Sequence, residues 1–108
     1  MSKVTWTWTN RIKDLADKVA LTTVLLDDVD ARQQAIKDKG TPNDDYTKAQ
    51  QEALCRDRNV AYAEAFERRR QVAAVFEDNR HAEPHKKMTP AQTTRVWGMM
   101  KALEARGR

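Results

Sequence analysis

His81 and His85 stand four residues apart, a spacing at which two imidazoles on one helical turn can hold a metal ion. Pro84 lies between them and breaks the turn that this geometry needs, and no third ligand accompanies them, so both read as linker histidines. The single cysteine, Cys55, has neither a disulfide partner in the chain nor the spaced partners of a zinc site. It reads as a reduced structural thiol on an apolar helix face. Asp57 and Glu64 are two helical turns apart on one face, a pairing that acid–base catalysis can use inside an enclosing pocket. The same two carboxylates also suit a polar layer or a salt bridge with Arg68. No Gly-rich phosphate loop, nucleophile motif or dinucleotide fingerprint is present. The expectation is therefore a protein that is not an enzyme and that carries no metal and no cofactor.

Binding chemistry is better represented. Residues 80–108 hold seven basic and two acidic residues, whereas residues 1–40 hold seven and six and residues 41–79 six and eight. Arg80, Lys86, Lys87, Arg95, Lys101, Arg106 and Arg108, with Trp97 among them, could neutralise phosphates and stack on an unpaired base. Trp97 fits a protein interface equally well, or the core side of an ordinary helix. In the run Arg68-Arg69-Arg70 successive helical residues point about 100° apart, so the three cannot form one narrow patch. Arg68 is expected to pair with Glu64, which leaves Arg69 and Arg70 for a partner surface. Trp6 and Trp8 complete the set of candidate contact residues.

These side chains must be positioned by a chain of 108 residues with 40% apolar and 33% charged residues and a net charge of +4, the composition of one folded, helix-rich domain. No run approaches the ~20 apolar residues of a membrane span, and a secretory leader pattern is missing, so a cytoplasmic location without membrane contact is the default expectation. Asp14 with Lys18, Asp28 with Arg32, Asp44 with Lys48, Glu52 with Arg56 and Glu64 with Arg68 are acid-to-base pairs four apart. Such pairs belong to solvated helix faces.

Two Thr-Pro dipeptides, Thr41-Pro42 and Thr89-Pro90, punctuate the chain. Threonine caps a helix N-terminus, proline fits its first position, and Gly40 can end the preceding helix in a left-handed turn. Residues 1–9 alternate Val4, Trp6 and Trp8 with threonines and read as an extended arm. Helix 1 is predicted over 10–39, with Ile12, Leu15, Val19, Thr22, Leu26, Val29, Gln33 and Ile36 in a heptad seam. The stretch Val19 to Leu26 is apolar or threonine on every side, so its centre should be enclosed by more than one helix. Helix 2 is predicted over 44–79, with one face of Tyr46, Ala49, Ala53, Val60, Ala61, Val72 and Val75 and another of Cys55, Tyr62, Phe66 and Ala73. Asp57, Glu64 and Arg68 interrupt the first face, which implies a polar layer, a bend or an earlier end. Residues 80–88 read as a linker and 90–106 as helix 3, with Val96, Met99, Met100 and Leu103 as its apolar stripe.

The expected fold is all-α: a long antiparallel helical hairpin plus a shorter C-terminal helix. Each long helix keeps a second apolar face, so pairing of two hairpins in a homodimeric bundle is expected. The opening Thr89-Pro90-Ala91-Gln92 resembles the first helix of some winged-helix DNA-binding domains. That likeness covers less than a fifth of the chain and stops before a recognition helix, so it carries no function. The strand-then-helix order at the N-terminus resembles ribbon-helix-helix repressors, which implies base contacts from Lys3, Thr5 and Thr7, although helix 1 is about twice too long. The functional expectation is a protein-binding module, acting as a small regulator, inhibitor or assembly factor of the kind found in phages and mobile elements. The alternative is nucleic-acid binding by residues 80–108.

Overall fold

The computed structural model describes residues 7–40 and 45–106. Among these residues the structure is all-helical, with α1 at Trp8–Asp38, α2 at Asp45–His81 and α3 at Pro90–Arg106, and a single 3₁₀ turn at Pro84–Lys86 before α3. None of the helices is long and apolar enough to cross a membrane.

α1 begins two residues earlier than the alternating pattern predicts. Thr7 is extended (φ −78°, ψ 153°), and its hydroxyl accepts the Asn10 N–H at 3.3 Å, so the cap places Trp8 and Thr9 inside the helix. Trp8 therefore does not continue an extended arm, and Thr7 serves as a cap. Trp6 lies outside the described residues, as do Lys3 and Thr5 and the Thr41-Pro42 signal with the Asp44–Lys48 pair. At the other end Gly40 adopts φ +74°, where a side chain would be strained, and its N–H bonds the Lys37 carbonyl at 3.1 Å.

α2 runs on to His81, so Arg80 and His81 belong to the helix and not to a linker. Two local arrangements stabilise this extension. Glu77 bonds both Arg80 and His81 at 2.7 Å, and the Lys87 ammonium donates to the open carbonyls of Asn79 and Arg80 at 3.1 and 3.0 Å. The Asn79 side-chain oxygen then accepts the N–H of buried Met88 at 2.7 Å and directs the chain toward α3. α3 opens with a reciprocal capping box: the Thr89 hydroxyl accepts the Gln92 N–H at 3.2 Å, and the Gln92 amide oxygen accepts the Thr89 N–H at 2.9 Å.

Arg11 of α1 pairs with Asp78 of α2 at 2.8 Å, and Arg32 pairs with Asp57 at 2.7 Å. Moving 21 residues forward along α1 thus moves the partner 21 residues back along α2, and the two helices run antiparallel without a slip. α3 returns in the direction of α1. Gln92 near its start bonds Thr9, and Arg106 at its end bonds Asp27 at 2.8 Å. The result is a body 62 Å long and only 17 Å thick.

The heptad seam of α1 is buried from Ile12 through Val29, with Gln33 and Ile36 half-buried. The expected enclosure of its middle is incomplete. α2 and α3 both pack on α1, yet Leu21, Val24 and Leu25 remain 69%, 65% and 42% exposed. On α2 the buried stripe is Thr47, Leu54, Ala61, Ala65, Val72 and Val75, so Tyr46 and Val60 do not belong to the packed face, and Cys55 is exposed. Arg68 sits in the same sevenfold row as Thr47, Leu54, Ala61 and Val75, and its side chain is only 14% exposed. The helix does not end early at this point. The row contains a polar layer, where Arg68 bonds Glu64 at 2.9 Å and Gln71 at 2.6 Å while the buried Nε atoms of Arg58 and Arg68 go without a partner.

Candidate interaction surfaces

Because a helix repeats every 3.6 residues, Tyr62, Phe66, Arg69, Ala73, Phe76 and Arg80, spaced alternately by four and three, share one face of α2. Phe66 is 61% exposed. Trp97 of α3 is 50% exposed and stacks on Phe76 with ring centroids 4.7 Å apart and planes tilted by 41°. Arg58 covers the Tyr62 ring at 5.5 Å. Two aromatic groups thus reach solvent with an arginine position between them, a composition that concentrates binding energy when a partner removes it from water.

The sequence candidates divide on this surface. Arg69 is half-buried on the aromatic face and already engaged, and Arg70 points beside it and pairs with Glu67 at 2.9 Å. Trp97 belongs to the face. Trp8 does not: its indole N–H donates to the Lys86 carbonyl at 2.6 Å, its ring packs on the core, and Arg11 lies 5.6 Å from the ring centre. That residue fastens α1 to the turn that leads into α3.

The basic segment is not one cluster. Lys87 caps α2, Arg106 reaches Asp27, Arg80 pairs with Glu77, and Lys86 lies 3.6 Å from Glu83. Arg95 and Lys101 are exposed and form no ion pair among the described residues, and their six-residue spacing turns them to different sides of α3. Arg108 lies outside the described residues. Arg80 and His81 together hold the Glu77 carboxyl below its ordinary range, Arg80 contributing more. Asp57, and next Asp28, raise the pKa of Arg32 through hydrogen bonds to its guanidinium.

The residues that could do chemistry are likewise used structurally. Asp57 is held by Arg32 of α1 and Glu64 by Arg68 of its own helix, so the two carboxylates have separate partners. His81 contacts Glu77, whereas His85 sits in the 3₁₀ turn 3.4 Å from Glu83. Among the described residues no group of three or more His, Cys, Asp or Glu side chains is placed to hold a metal ion.

A second surface lies on the α1/α2 hairpin. Stretches of open groove follow the α1/α2 seam, past Lys18 and Ala74, then Leu25, Asp28 and Val60, then Ala35 and Ala53. α3 contributes no residue to these stretches. The signal for this surface was the run Val19–Leu26, apolar or threonine on every side. Comparison of the chain with protein-family models, with curated proteins and with solved structures finds no match.

Proposed function

We propose that the chain is a non-enzymatic interaction module, a small regulator, inhibitor or assembly factor that works by presenting the aromatic face of α2 and α3 to another protein. The observation that carries this reading is the exposure of Phe66 together with the Trp97–Phe76 stack on a face that also bears Arg69. Arg58 over the Tyr62 ring, and Arg69 and Arg80 on the same row, favour a partner with an apolar anchor ringed by acidic groups. The groove-lined side of the α1/α2 hairpin suits a second copy of the chain, so the module is read as a homodimer built by hairpin pairing into a four-helix core. Dispersal of the basic residues over separate sides weighs against nucleic acid as the main ligand.

The test compares the wild type with a Phe66→Ala/Trp97→Ala variant whose helicity is unchanged by circular dichroism. A protein partner retained after nuclease treatment and at about 0.5 M salt, and lost with the variant, supports the reading, since counterion-driven binding collapses at such salt. Saturable binding of labelled DNA or RNA with a steep salt slope, kept by that variant but lost with Arg95→Ala/Lys101→Ala, would replace it with the nucleic-acid alternative.

A further inference from the structure

Leu21, Val24 and Leu25 form an apolar patch midway along α1, and the charges on either side of it are arranged in a mirrored order. From the N-terminal side the row reads Asp14, Lys18, Leu21, Leu25, Asp28, Arg32, with successive spacings of four, three, four, three and four residues, so all six lie along one side of the helix. Spacing and sign therefore respond differently to reversal. The spacing is the same read from either end, while the charges change sign. Laid antiparallel on a second α1 about a two-fold axis at residue 23, Leu21 faces Leu25 of the other copy, Lys18 faces Asp28, and Asp14 faces Arg32.

We infer that α1 is the self-association surface of this protein, joined to α1 of a second copy in this antiparallel register. The inference rests on the homodimer reading above and adds its geometry. Sliding one helix by a heptad in one direction sets Leu21 against Arg32 and Leu25 against Asp28; sliding it in the other sets them against Lys18 and Asp14. Either slip buries charge against leucine, so only the central register mates apolar with apolar and acid with base. A two-fold interface requires a self-complementary surface of this kind. The centre of the surface is also open within the chain: Leu21, Val24 and Leu25 are the exposed large apolar side chains of α1, and Lys18 and Asp28 have ion-pair partners only on α1, so both can also pair with the other copy, whereas Arg32 at the edge is shared with Asp57 of α2.

Charge reversal in separate chains tests the register. Lys18→Asp and Asp28→Lys each place like charges across both symmetry-related contacts of their own homodimer, whereas a mixture restores opposite charges at both. Light scattering coupled to gel filtration is expected to show a wild-type dimer, association weakened about tenfold or more in each variant, and recovery of the dimer on mixing. Circular dichroism of each variant excludes loss of fold, and Leu21→Asp supplies a second route to the monomer. A wild-type dimer indifferent to all three substitutions overturns the register and leaves the homodimer standing. A wild-type monomer at about 100 µM, a concentration at which micromolar affinity would be saturated, overturns both and leaves the aromatic face untouched.

Discussion

At one end of the molecule three helices enclose Ile12, Leu15, Val19, Val72, Val75, Met88, Val96, Met99 and Leu103, while at the other only α1 and α2 meet, around Leu26, Val29, Leu54, Ala61 and Ala65. The first cluster is filled from three directions by branched and long side chains. The second lies between two helices, and alanine supplies two of its five buried residues. Alanine lets the helices approach but buries little area, so the two-helix end gains less from leaving water. The two ends also offer different surfaces. α3 covers one side of the long helices and adds Trp97 to the aromatic face, while the groove along the α1/α2 seam runs past both clusters on a side that α3 leaves open.

The largest expected effect breaks the better-packed end. Leu103→Ala removes a fully buried side chain from the three-helix cluster and should destabilise the protein by about 3 kcal/mol in urea denaturation. Leu54→Ala at the two-helix end should cost less, about 1.5 kcal/mol, because an open site relaxes around the deletion. Equal losses would mean that the two clusters unfold as one equally rigid unit. Next, Asn79→Ala leaves the buried Met88 N–H without an acceptor and should cost about 1 to 2 kcal/mol, with faster amide exchange at Met88 as its local signature.

The smallest effect is a pH dependence at the turn that joins α2 to α3. The Glu77 carboxyl is held below its unfolded value, so its contribution is present above the unfolded pKa and is lost as pH falls through the lowered folded pKa. Acidification should fray the last turn of α2 before the helix interior, as followed by amide chemical shifts of Arg80 and His81. Glu77→Gln should remove that acid transition while leaving the shifts of the two-helix end unchanged.

The seam of α1 could be read directly because its apolar residues keep heptad spacing without interruption. α2 was harder. Its packed row passes through Arg58 and Arg68, both half-buried with their Nε atoms out of contact with water, and a pattern based on residue type counts them as polar and therefore exposed. Residue type therefore favours Tyr46 and Val60 for burial, whereas Leu54 and Ala65 do the packing. At Trp8 alternation and a capping threonine compete over the same residues, and the hydroxyl of Thr7 decides in favour of the helix. The second face of α2, with Tyr62, Phe66 and Ala73, was legible from spacing, but its junction with Trp97 was not, because the stack joins residues of different helices. Nor can an apolar run state how many neighbours cover it, which is why the exposure of Leu21, Val24 and Leu25 emerged only with the fold.

The fastenings between the first turn of α1 and the entry to α3 have a consequence for the order in which the molecule is made. Trp8 bonds a carbonyl 78 residues away, Thr9 a side chain 83 away, and Arg106 closes on Asp27 across 79. During synthesis α1 and α2 emerge well before α3, so Ile12, Leu15, Val72 and Val75 are available to one another while still open on the side that α3 will cover. Contacts of such long sequence separation close late and slow the final step. The region that is best packed in the finished protein is thus the last to be completed, and the nascent chain is most exposed to misassociation at the end that later becomes the most secure.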